Sequence, residues 1–199
     1  MLYFLSEYGD GGDFFNLFRY ITFRAGGAFF TALILSFLFG QPLINALKKW
    51  QKNGQPIRED GPEGHILAKA GTPTMGGMLI LGTLLISTLL WARSDNGYVW
   101  TVLLVTMGFA LIGFLDDYLK VSKQMVAGFS SKARLALGFV IALLAAIYVS
   151  TLHTEELTRQ IAVPVFKDAL LNFGIFYFPF VMITIVGAAN AVNLTDGLD

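Results

Sequence analysis

The chain has 199 residues, 55% of them hydrophobic and 14% charged, and its formal net charge is zero. Soluble domains typically carry about 25% charged residues, so this composition, with a mean hydropathy of +0.62, excludes an ordinary soluble domain and points to apolar helices packed in a bilayer. The balanced charge offers no field for nucleic acid, and the absence of Cys rules out disulfides and thiolate metal sites.

Met1 to Asp13 is acidic and has no basic stretch ahead of an apolar core, so it is not read as a cleaved signal peptide. A membrane span needs about 20 apolar residues. Five uncharged runs reach or approach that length: Ala25–Leu47, Ala70–Ala92, Asn96–Leu115, Leu135–Leu152 and Ala169–Thr195. They predict transmembrane helices over about 23–41, 75–92, 97–116, 134–152 and 170–191, in an all-α polytopic membrane protein with a single domain over 1–199. The first helix is expected to leave the membrane near Gly40-Gln41-Pro42, where Gly and Pro punctuate the pattern. The second run opens with Gly71-Thr72-Pro73-Thr74-Met75-Gly76-Gly77, too glycine-rich to be all helix. Between the fourth and fifth runs, the β-branched stretch from Gln160 to Phe166 predicts a short strand or hairpin. The fifth run is longer than one span, so its polar tail Asn190–Thr195 is not expected to face lipid.

Five spans put the two termini on opposite sides of the bilayer, and the Lys/Arg bias chooses the side. Nine basic residues, Lys48, Lys49, Lys52, Arg58, Lys69, Lys120, Lys123, Lys132 and Arg134, fall in the first-to-second and third-to-fourth connections. The other side holds five, Arg19, Arg24, Arg93, Arg159 and Lys167. The nine-residue side is expected to be cytoplasmic and the N-terminus external. Three polar clusters then meet on the cytoplasmic face.

The first cluster is Asp116-Asp117, at the end of an uncharged run. Charges near membrane depth are costly and usually functional. Two adjacent carboxylates repel unless a cation or a shared proton relieves them, and a hard divalent cation such as Mg²⁺ is the natural relief. The plainer alternative is a solvated helix end with Lys120 and Lys123 one turn on, although acids there oppose the helix dipole. The second cluster, Lys69 to Gly77, combines a Lys, hydroxyls and glycines that suit an anion. It serves equally as a helix entry with Pro73 in the first turn. The third, Asn190 to Asp199, carries Asn190, Asn193, Thr195, Asp196 and Asp199, short oxygen-bearing side chains able to ligate a cation or bond a base and ribose. Its plainer reading is a helix C-terminus that turns at Asp196-Gly197. Glu59 to His65 reads as a turn-rich loop, with His65 either a loop residue or an acid–base or phosphate contact. The cations of the Lys120–Arg134 segment are lipid-headgroup anchors, phosphate contacts, or both.

Three motifs carry a family resemblance: DGPEGH with KAGTPTMGG at 60–77, GFLDDY at 113–118, and NAVNLTDGLD at 190–199. The chain resembles the phospho-N-acetylmuramoyl-pentapeptide transferases, within the polyprenyl-phosphate N-acetylhexosamine-1-phosphate transferases. The GTPTMGG form with DGPE…H upstream favours this branch over WecA-type enzymes that use UDP-N-acetylglucosamine. The resemblance implies a ten-helix fold of which this chain is the N-terminal half, lacking a third essential Asp and a His-rich loop, so that residues 1–199 alone are expected to be inactive. It implies an Mg²⁺-dependent transfer in which undecaprenyl phosphate attacks UDP-N-acetylmuramoyl-pentapeptide, giving lipid I and UMP at the cytoplasmic face of the bacterial inner membrane. Partners are the two substrates and the lipid bilayer, with a homodimer allowed and no nucleic acid. The roles it implies are residue by residue. Asp116 assists the lipid phosphate, as base or by positioning. Asp116, Asp117 and Asp196 form the metal side. Lys69, Thr74 and His65 contact substrate. Asn190, Asn193 and Asp196 line the uridine side, with Asp199 a weaker candidate there. Lys120 and Lys132 meet phosphate. An ion-coupled transporter is the rival from another class, since intramembrane carboxylates also mark ion paths. It would need polar residues near span centres, whereas here they collect at one face.

Overall fold

The computed structural model describes residues 1–9, 12–51, 73–123, 128–152, 157–163, 166 and 169–196, with the side chain of Asp196 excepted. Lys52, the DGPEGH loop with His65, Lys69, the outer-loop acids Glu155 and Glu156, and Asp199 lie outside these residues. The described chain is helical: α1 (Ile21–Trp50), α2 (Gly77–Trp91), α3 (Gly97–Lys123), α4 (Ser131–Leu152) and α5 (Tyr177–Asp196). Short 3₁₀ helices at Leu2–Tyr8 and Phe14–Arg19 precede α1, and another at Gly174–Phe176 leads into α5. Four stretches, Ile21–Trp50, Gly97–Lys123, Ser131–Leu152 and Gly174–Thr195, are long and apolar enough to cross a membrane, while the apolar α2 has 15 residues. The all-α polytopic membrane architecture therefore stands.

The helices do not all share the bounds of the expected spans. At Gly40-Gln41-Pro42, where the first span was expected to leave the membrane, α1 continues with Pro42 in its interior and runs on to Trp50. Pro42 lacks the N–H that would bond the carbonyl four residues back, but Leu43 to Trp50 are good enough helix formers to continue. The fifth helix begins at Tyr177 rather than near 170, because Leu170–Asn172 pairs antiparallel with Gln160–Ala162. These strands, β1 and β2, pair in the register Gln160↔Asn172, Ile161↔Leu171 and Ala162↔Leu170; β1 meets the short strand or hairpin expected over Gln160–Phe166, while β2 lies beyond that stretch. The tail Asn190 to Asp196 is helical, and the turn expected at Asp196-Gly197 reaches beyond the described residues.

The residues cluster into two compact units, Met1–Val99 with Gly113–Phe129, and Trp100–Ile112 with Ser130–Asp199. In the first, α1 packs on α2 around an aromatic cluster. Phe18 stacks on Trp91 at 5.9 Å, Phe23 meets Trp91 edge-on at 6.0 Å, and the Trp91 Nε1–H donates to Thr31 Oγ1 at 2.9 Å. A Cβ at Gly27 would collide with the Trp91 ring, so glycine there lets the two helices close. Tyr3 lies between two guanidinium groups, Arg24 at 4.9 Å and Arg93 at 4.5 Å from its ring centre. The second unit packs α4 against α5 with small residues inside. Ala142 and Ala146 are buried with Val186 and Tyr177, and Gly138 lets the Phe109 ring approach its backbone. Hydroxyls within the helices turn back on their own backbone, as Ser36 does to Ala32 and Thr184 to Phe180, both at 2.8 Å. That satisfies polar groups where lipid could not.

Candidate active site

The aspartate pair lies on α3, seven residues before the helix ends at Lys123. Successive residues on a helix point about 100° apart, so the two carboxylates take different surroundings. Asp116 is buried, at 7% exposure. Its Oδ2 pairs with Lys120 Nζ at 2.6 Å, one turn on, and its Oδ1 accepts the backbone N–H of Phe129 at 2.7 Å. A buried carboxylate needs such partners to remain charged. The Phe129 bond ties the segment entering α4 back to α3, and Gly128 permits it, since a Cβ there would fall on Asp116 Oδ1 and within 2.7 Å of Lys120 Cε. Lys120, expected to meet phosphate, is thus placed on Asp116.

Asp117 points elsewhere. Its Oδ2 accepts a hydrogen bond from Thr74 Oγ1 at 3.2 Å, so the glycine-rich entry to α2 meets the acidic pair directly. That entry is not part of a helix: α2 starts at Gly77, four residues after Pro73, and Pro73 is not in its first turn. Met75, between Thr74 and Gly76, has φ of +73° and is 6% exposed. A left-handed conformation at a non-glycine residue costs about 1–2 kcal/mol and persists where its surroundings hold it. A group that sequence inspection did not single out holds the residue before Met75. The Gln51 amide, 5% exposed, donates from Nε2 to the Thr74 carbonyl at 3.1 Å and accepts the Thr74 N–H on Oε1 at 2.9 Å. Beside it, Trp50 stacks on Tyr118 at 6.0 Å, and Tyr118 stacks on Phe114 at 6.1 Å. A lone neutral Gln after a basic helix end carries no motif that could have marked it.

Asn190, Asn193 and Asp196 follow one another at three-residue spacing along α5, in the second unit. Asn190 Nδ2 donates to the Val186 carbonyl at 2.8 Å and Thr195 Oγ1 to the Ala191 carbonyl at 3.0 Å. Asn190 and Asn193 are both exposed among the described residues. Lys132 stands exposed in the first turn of α4. Among the described residues no three His, Cys, Asp or Glu side chains gather as a metal site. Both Asp116 oxygens are engaged, whereas Asp117 has the Thr74 hydroxyl on Oδ2 and is the carboxylate whose chemistry suits Mg²⁺, which typically keeps several waters and takes substrate phosphate oxygens.

A family profile described as glycosyl transferase family 4 matches residues 99–199, the segment with the aspartate pair and the Asn/Asp tail. The chain belongs to glycosyl transferase family 4. Within it, residues 69–81 match a pattern described as phospho-N-acetylmuramoyl-pentapeptide-transferase signature 1, which contains the Thr74 that bonds Asp117. Three similar curated proteins, each named phospho-N-acetylmuramoyl-pentapeptide-transferase, extend the likeness over all 199 residues: 69% identity in Ruegeria sp., 66% in Ruegeria pomeroyi and 65% in Dinoroseobacter shibae. In each case the chain spans 55% of the relative's length.

Proposed function

We propose that this member of glycosyl transferase family 4 serves the transfer of phospho-N-acetylmuramoyl-pentapeptide from its UDP-activated form to undecaprenyl phosphate, yielding lipid I and UMP for peptidoglycan synthesis. The observation that carries this reading is the meeting of the 69–81 signature with the aspartate pair through Thr74 and Asp117, in a chain 65–69% identical to proteins of that name. In the reaction an oxygen of the lipid phosphate bonds to the sugar-linked phosphorus, and the bond to UMP breaks.

Asp117 is the carboxylate assigned to Mg²⁺, with Asp196 as the second metal-side acid. When bound, the ion neutralises charge on the diphosphate. Asp116 acts on the lipid phosphate. That group is already ionised at neutral pH, so the role assigned to Asp116 is to orient it together with Lys120, the cation 2.6 Å from its carboxylate, rather than to remove a proton. Lys69, His65 and Lys132 are assigned to substrate phosphates, and Asn190, Asn193 and Asp199 to the nucleotide. The Lys/Arg bias supports a cytoplasmic side for these groups, and the family resemblance supports the inner membrane.

The test is transfer of radiolabelled UDP-N-acetylmuramoyl-pentapeptide to undecaprenyl phosphate with Mg²⁺. It is run with the 199-residue chain and with a version extended to the relatives' length. The extended enzyme should make lipid I and lose it on chelation, while the 199-residue chain should not. Equal use of UDP-N-acetylglucosamine would overturn the substrate, and metal-independent transfer would overturn the metal role.

A further inference from the structure

We propose that Gln51 is a positioning residue that sets the Thr74 hydroxyl on Asp117; the inference rests on the function proposed above. Gln51 lies outside both segments that match the family, 69–81 and 99–199. It is nonetheless the described side chain that holds both backbone polar groups of Thr74, N–H at 2.9 Å and carbonyl at 3.1 Å. A primary amide that pairs both groups of one residue fixes that residue in position and rotation, as a neighbouring strand would. The fixed residue is the one whose hydroxyl reaches Asp117 Oδ2 at 3.2 Å.

Two further features show why a clamp is needed. Met75 follows directly at φ +73°, a conformation that relaxes unless neighbouring bonds oppose it. Relaxation there would swing Thr74 away from α3. Gln51 itself is anchored at the end of α1, where its N–H donates to the Leu47 carbonyl at 2.8 Å. The preceding residue, Trp50, stacks on Tyr118, the residue after Asp117. Two consecutive residues at the α1 terminus therefore hold both ends of the Thr74–Asp117 bond. Burial at 5% exposure keeps water from competing for the Gln51 amide.

The experiment uses the extended enzyme. Gln51→Ala should lower kcat about tenfold or more, because small displacements of positioning groups cost up to about 10²-fold. Thr74→Val should cost a similar factor, and the double variant should be no worse than about threefold below the poorer single one, since both changes remove one linkage. Gln51→Glu supplies a carboxyl that reproduces the amide's donor and acceptor only when protonated, so its kcat relative to wild type should rise several-fold from pH 8 to pH 6. A Gln51 that merely supports folding would give no such pH rescue. A readout independent of turnover is the maleimide labelling rate of Thr74→Cys in the monodisperse protein, read on the tryptic 70–93 peptide. Gln51→Ala should raise that rate several-fold. Multiplying losses in the double variant, a flat pH ratio for Gln51→Glu, or an unchanged labelling rate would each overturn the inference. If the wild-type extended enzyme makes no lipid I, the proposed function fails, and labelling alone still decides whether Gln51 holds Thr74. If Gln51→Ala does not fold, Gln51→Glu carries the labelling comparison.

Discussion

At the scale of single residues, the pair Asp116-Asp117 illustrates how neighbours in sequence acquire different work. One helical step turns Asp116 toward Lys120 and the Phe129 N–H, and Asp117 toward Thr74. The Asp116 arrangement depends on an absent side chain at Gly128. Gly128→Ala should therefore lower stability by about 1–3 kcal/mol, the usual cost of forcing a methyl into occupied space. Gly12→Ala, where a Cβ meets nothing within 4 Å, serves as the control. Thermal unfolding in detergent reads the difference, and equal midpoints would mean that the 128–129 segment does not dock on Asp116. Acid response follows from another pair. Arg93 holds Asp95 in a two-point ion pair at 2.6 and 3.1 Å, and that hydrogen bonding keeps the Asp95 carboxyl below its ordinary range. A depressed carboxylate adds stability that is present above its unfolded value, about 3.9, and is lost as pH falls through the folded value. Asp95→Asn should accordingly leave the stability profile unchanged above pH 5 in shape and flatten it below pH 4, measured by unfolding against pH.

The elements pack through small residues and aromatic rings. Gly26 and Gly27 are adjacent on α1, yet only Gly27 faces the Trp91 ring of α2, while a Cβ at Gly26 meets nothing within 4 Å. Gly26→Ala should be neutral or stabilising by up to about 1 kcal/mol, as in any exposed helix position. Gly27→Ala should destabilise by about 1–3 kcal/mol through overpacking and break the Trp91–Thr31 bond. Trp91 fluorescence should shift in the second variant and not in the first. A shift in neither would sink the close α1–α2 approach. The continuity of α1 through Pro42 belongs to this scale as well. It extends the helix to Trp50 and Gln51, and without that extension neither Tyr118 nor Thr74 would be held.

For the molecule as a whole, the Lys/Arg bias predicts the orientation in the bilayer. Lys48, Lys49 and Lys123 stand at helix ends near the candidate site, and Arg93, Asp95 and Arg159 in the opposite connections. Cysteines introduced at Lys49 and Lys123 in this cysteine-free chain should resist an impermeant maleimide in intact cells, whereas one at Ser94 should react. Reaction at position 49 would invert the topology and move the aspartate pair to the outer face. The nine-to-five asymmetry of basic residues would then need another cause.

Much of the fold was legible because membrane insertion imposes a strong and simple pattern. A helix must be apolar for about 20 residues, so the long helices could be read from the uncharged runs, and the strand at Gln160–Ala162 from its β-branched stretch. Asp116 and Asp117 could be named because charge is expensive at membrane depth, and Thr74 because it lies in a run too glycine-rich to be all helix. Boundaries were less legible. Pro42 reads locally as a stop, but the helix-forming residues after it carried α1 past it, and pairing with β1 took Leu170–Asn172 away from α5. The sequence by itself determined the class, the approximate number of spans and the identity of the polar clusters, because these follow from local hydropathy and charge. Only the tertiary structure decided which groups touch. Lys120 binds Asp116, Thr74 binds Asp117, and Gln51 binds Thr74 across 23 residues of chain. Those choices rest on helix rotation and the geometry of two amide hydrogen bonds, and neither leaves a periodic trace in the order of amino acids.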